Sequence, residues 1–138
     1  MQRFIKFSKK SGVDWRAAPD VKKKLLRLEN LLELGWMKTS RIFCVRSLGT
    51  KTRAIARIWG LGRVWQLALK QKPAYIIEVI SEKYDRLAEE EKDKVLLHEI
   101  SHIPKNFSGA LLPHIRRGKR SFHDKLRILV AQYSRRAR

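Results

Sequence analysis

The chain has 138 residues, 32 Lys+Arg against 13 Asp+Glu, and a formal net charge of +19. That length suits one domain with one core, and 43% hydrophobic residues exclude a disordered basic tail. A lone cysteine, Cys44, excludes an internal disulfide; no apolar run nears the roughly 18 residues of a membrane span, and no signal-peptide core is evident, so a cytoplasmic protein without a membrane partner is expected.

Residues 1–18 mix basic and aromatic side chains without a period and read as a basic N-terminal arm. Residues 19–134 read as a single domain and 135–138 as a basic tail. Pro19-Asp20 opens a helix, with Asp20 available to the free amides of its first turn. Val21, Leu25, Leu28 and Leu32 fall on one helical face, and Gly35 suits a left-handed stop after Leu34. Arg41–Arg46 is β-branched and aromatic, hence a strand, with Cys44 read as a buried strand residue. Residues 54–59 fit either a strand or a short helix until Gly60 and Gly62 interrupt them. Val64–Leu69 reads as a helical turn or two, and Tyr75–Ile80 as the strongest strand in the chain. Three glutamates at 89–91 crowd the start of a helix expected over Leu87–Ile103, which Pro104 ends. After a loop with Gly109 and Gly118, a last helix starts at Ser121, where Ser121 and Asp124 have capping-box spacing.

The charge is unevenly placed. Residues 1–72 sum to +14, residues 73–113 to −3, and residues 114–138 to +8. Basic flanks of this density attract polyanions, so sequence-independent DNA or RNA is a candidate partner. Trp15, Trp36, Trp59 and Trp65 stand among Lys and Arg, and are read as core residues rather than base-stacking platforms.

His98-Glu99-Ile100-Ser101-His102 is an H-E-x-x-H motif. Helical residues four apart share a face, so His98 and His102 can offer their imidazoles to one zinc ion. Glu99, one position on, can take a proton from a water made acidic by the metal and pass it to the leaving amine. With 4 His and 8 Glu in the chain, random placement yields roughly 0.007 such motifs. A catalytic zinc needs a third protein ligand and an open position. His114 and His123 are both candidates, and Asp124 is a weaker one because capping already explains it. Whichever histidine is not a ligand could stabilise the developing oxyanion, a role open also to Arg116, Arg117, Tyr84 and Tyr133. The longer H-E-x-x-H-x-x-G-x-x-H pattern fails at Asn106, Phe107 and Ser108. Peptide deformylases share H-E-x-x-H and an upstream cysteine, but Cys44 lacks their Glu-Gly-Cys surroundings.

Residues 95–104, with His98, His102 and Pro104, and residues 107–114, with Phe107-Ser108-Gly109 and Pro113-His114, resemble the phage metallopeptidase family of viruses and archaea. The segments 65–69 and 74–82 are similar to it as well, and the resemblance spans about residues 40–125. Ile100, Ala88 and Ile115 depart from the residues common in the family. The family is related to minimal zincins such as the SprT-like proteins. The resemblance implies an α+β, minimal zincin-like fold, in which a short sheet packs on the metal-binding helix between N- and C-terminal helices. It also implies His98, His102 and His114 as zinc ligands and Glu99 as general base. SprT-like enzymes cleave proteins attached to DNA, which the basic flanks suit.

The expected function is zinc-dependent hydrolysis of a peptide or protein substrate, with the Tyr75–Ile80 strand pairing with an extended substrate if its edge is free. The competing readings are a basic nucleic-acid-binding protein with a structural or inactive zinc site, and an inactive zincin used in assembly.

Overall fold

The computed structural model describes residues 12–114 and 122–137. Its centre is a four-stranded mixed sheet in the order β1-β2-β4-β3, formed by β1 (Asp14–Ala17), β2 (Ile42–Leu48), β3 (Ala56–Gly60) and β4 (Tyr75–Ile80). The strand β2 runs parallel to β4, from Ile42 beside Tyr75 to Ser47 beside Ile80, whereas β1 and β3 pair antiparallel to their neighbours. The helices are α1 (Pro19–Leu32), α2 (Arg63–Leu69), α3 (Ser81–Tyr84), α4 (Glu89–Ile100) and α5 (Phe122–Arg136). The fold is therefore α+β, with helices at both ends of the domain.

The core lies between one sheet face and the helices α1, α4 and α5. Strand side chains alternate faces, and Ile42, Cys44, Tyr75, Ile77, Val79 and Ala56 go inward. They meet Val21, Leu25, Leu28 and Leu32 of α1, the four residues expected there, and Leu96, Leu97 and Ile100 of α4. Cys44 is buried in β2, and burial pushes its thiol up to about 11. Asp93 of α4 pins the helical layer. It accepts hydrogen bonds from Lys24 (2.9 Å) and Arg27 (2.6 Å) of α1 and from the Tyr133 hydroxyl (2.7 Å) of α5.

Several local expectations change. Residues 14–17, read as arm, form β1. Its side chains are all exposed, so it has no apolar alternation to reveal it and is held by pairing with β2. The helix α1 ends at Glu33, which adopts the left-handed conformation (φ 54°), so Gly35 is not its stop. The carboxylate of Asp20 meets the first-turn amides of Asp20 and Val21, as expected, and is held more strongly by Arg46 of β2 at 2.7 and 3.0 Å. Residues 56–60 resolve as a strand because β4 offers them a partner. The strand β4 is bonded on both sides, by β2 and β3, and cannot take a further strand. Among the described residues, the free edge nearest the motif is that of β3. Trp15, Trp59 and Trp65 are half-exposed or more and are not core residues; Trp36 packs partly buried against the core. The capping reading of Ser121 lies outside the described residues. Among the described residues, no helix is long and apolar enough to cross a membrane.

Candidate metal centre

The helix α4 ends inside the motif. Its regular part stops at Ile100, short of the expected Ile103, but Ser101 keeps helical dihedrals and the His102 amide bonds back to Glu99 O at 3.1 Å. This tight extra turn keeps His102 beside His98, with ring centroids 5.4 Å apart.

The loop after Pro104 brings His114 to the same place, and three anchors dictate its path. Phe107 turns the chain with a positive φ of 51° and buries its ring edge-on against Tyr75, 4.9 Å away. The Gly109 amide donates to the Tyr75 hydroxyl (2.8 Å), which donates in turn to Ala110 O (2.8 Å). Gly109 has φ +95°, and a Cβ there would lie 2.2 Å from Leu61 O and 2.5 Å from Gln66 Nε2, so a side chain is excluded. Gln66 bonds Leu61 O (2.7 Å) and Ser108 O (2.8 Å), tying the loop to α2. Finally, the Leu112 amide donates to His102 O (2.7 Å), while His102 Nδ1 donates to Leu112 O (2.6 Å). That second bond fixes the tautomer and leaves His102 Nε2 free as a lone-pair donor.

One ring nitrogen from each of His98, His102 and His114 lies within 4.8 Å of the others, and His98 Nε2 is 3.1 Å from His114 Nε2. A tetrahedral zinc with Zn–N near 2.0–2.1 Å sets its ligand nitrogens about 3.4 Å apart. The donor set therefore fits such an ion. Burial, with the charges of His102, His114 and His123 added, pushes the His98 imidazole down to about 4. Burial and the neighbouring His114 likewise lower His102, against its bond to Leu112. Neutral imidazoles are the form that ligates.

Glu99 is 6% exposed, and burial raises its carboxyl to about 7. It lines an open groove of about 750 Å³ together with the three histidines, Arg53–Ile58, and Leu111–Pro113. One wall of that groove is thus the β3 strand and the segment leading into it.

The other proposed participants sit elsewhere. His123 is exposed, with its ring 5.3 Å from that of Phe122, and is not part of the close trio. Asp124 is bonded to Arg127 at 3.3 Å. Tyr84 lies in the core, and Tyr133 is engaged by Asp93, so neither reaches the groove. Arg116 and Arg117 lie outside the described residues. One contributor is new: Phe122 stacks on His102 (4.2 Å) and packs against His98 (4.8 Å) and His114 (4.7 Å). Nothing in the spacing of Phe122 separates it from ordinary core residues.

A histidine trio beside a buried carboxylate, in a groove along a sheet edge, defines the protein as a candidate metal-binding protein of the hydrolase type. The chain belongs to the phage metallopeptidase family: the family model described as "Putative phage metallopeptidase" matches residues 13–127. A peptidase family implies a peptide or protein as substrate. No curated protein and no solved structure matches the chain.

Proposed function

We propose that the protein is a zinc-dependent peptidase in which His98, His102 and His114 hold the ion and Glu99 is the general base. The observation that carries this reading is the convergence of three imidazoles, two of them held neutral by burial, beside the buried Glu99. When bound, zinc supplies a Lewis acid that raises the acidity of water and polarises a carbonyl. Glu99 accepts a proton from the attacking water and delivers it to the leaving amide nitrogen, so that one C–N bond is exchanged for a C–O bond. A carboxyl near 7 is suited to both steps at neutral pH. The free edge of β3 borders the groove, and an extended peptide can add to it by backbone hydrogen bonds.

The test combines bound metal with cleavage of a peptide library. The wild type should carry about one zinc per chain, from the single three-histidine set. Glu99→Gln should retain the ion and lose activity by about 100-fold or more. His114→Ala should lose metal, and His123→Ala should keep it. A wild-type protein that takes up no zinc would overturn the reading, and an active Glu99→Gln variant would remove Glu99 from its role.

A further inference from the structure

Among the described residues, the sheet face turned away from the metal groove has no helix over its aromatic row. In register across three strands lie Phe43 of β2, Ile76 of β4 and Trp59 of β3. Phe43 is 48% exposed and Trp59 49%. Two strand spacings separate the rings by about 10 Å. They border a shallow cleft of about 280 Å³, with Arg41, Leu61 and Gln71 on its rim.

This face is built, not merely uncovered. Glu78, in the row next to Ile76, is completely buried. Its carboxylate accepts the Trp59 indole N–H at 2.9 Å, the Arg57 guanidinium at 2.7 and 3.2 Å, and the Ser47 hydroxyl at 2.6 Å. Burial acts to raise Glu78, but these donors outweigh it and hold it ionised. The indole is thereby fixed in orientation, with Arg57 Cζ 5.3 Å from its centroid. Arg41 stands likewise 5.8 Å from the Phe43 ring, anchored on Lys72 O at 2.8 Å.

Charge indicates what such a surface takes. Residues 34–77, which make β2, β3, α2 and the start of β4, contain nine Lys+Arg and no Asp or Glu. The carboxylate that follows them, Glu78, is buried and paired with Arg57. Planar rings in a segment of net positive charge, where only Arg46 and Arg57 of the described cations at 34–77 are paired with carboxylates, match a chain of bases joined by phosphates. A duplex hides its base faces, so it cannot use the rings.

We infer that the outer face of the sheet binds single-stranded nucleic acid, with bases stacking on Phe43 and Trp59 and phosphates meeting Arg41 and the cationic side chains around it. This site is independent of metal and peptide chemistry. It shares β3 with the metal groove, so a strand held on one side of the sheet lies close to the peptidase groove on the other.

Fluorescence anisotropy with labelled dT20 and rU20 tests the inference, with a 20-base-pair duplex as competitor. Single strands should bind with a negative log–log salt slope, and the duplex should compete poorly. Phe43→Ala and Trp59→Ala should each weaken binding about 10-fold or more, while circular dichroism and bound zinc stay unchanged in both and peptide cleavage stays unchanged in Phe43→Ala, which lies on β2 away from the groove. No binding at low salt would overturn the inference. So would duplex binding as tight as single-strand binding, or affinity indifferent to both substitutions, since diffuse charge would then suffice. Self-association seen in sedimentation and abolished by Phe43→Ala, without oligonucleotide binding, would assign the face to a second copy of the chain. Because metal and cleavage are read on the same samples, failure here is distinct from failure of the peptidase reading.

Discussion

Phe122 forms an apolar wall against all three imidazoles, and its own ring is 1% exposed. Such a wall restricts ring rotation and keeps the nitrogens aimed at one point. Side chains that orient ligands without touching the ion typically alter affinity by about 10–100-fold. Phe122→Leu keeps the site apolar while removing the ring, so the fold should survive with a loss of about 1–2 kcal/mol. Zinc affinity should fall about ten-fold, as measured by competition with a chromophoric chelator. Unchanged affinity would show that the loop bonds alone orient the trio. His98, Glu99 and His102 were legible in the sequence because helical spacing places them. His114 was one of two candidates there, and it is the Leu112–His102 bonds and the Tyr75 and Gln66 anchors that bring it in. Those anchors come from β4 and α2, remote in sequence, so no local pattern records them.

At the scale of elements, α1 shows where local reading succeeds and stops. Its apolar face was predictable because Val21, Leu25, Leu28 and Leu32 all meet the same sheet. Its end was not, because Glu33 accepts the left-handed conformation that glycine normally fills. The Leu34 amide bonds Glu29 O at 3.0 Å, closing the helix two residues ahead of Gly35. The edge of the sheet was equally hidden. The most apolar strand, β4, is central because it is buried on both flanks, and the groove falls to the more polar β3. These placements make predictions at two nearby positions. Glu33→Gly should stabilise the protein by about 0.5–1 kcal/mol by removing the left-handed penalty, less the exposed pair of Glu33 with Arg136. Gly35→Ala meets no atom within 4 Å and has no positive φ, so it should be neutral or slightly stabilising. Urea denaturation of the two variants checks both signs; a destabilised Gly35→Ala would restore Gly35 as the stop.

Across the whole molecule, one carboxylate ties three helices together above their shared apolar core. Asp93 joins α1, α4 and α5, and the same α4 carries the metal motif. Burial pushes Asp93 up, but the bonds from Tyr133, Lys24 and Arg27 prevail and hold it below the usual carboxylate range. A carboxyl depressed by folding contributes stability that is complete above its unfolded pKa, near 3.9. That contribution is lost as pH falls through the lower folded value. Asp93→Asn keeps the shape and removes the charge. It should cost about 2 kcal/mol at pH 7, since hydrogen bonds to a charged partner contribute about 1.5–3 kcal/mol. The difference from wild type should hold down to about pH 4 and shrink below it. Urea denaturation of the metal-free protein, at a series of pH values, measures this without proton competition for the zinc ligands. A difference independent of pH would mean that the geometry of the Asp93 node, and not its charge, holds α4 in place beside the sheet.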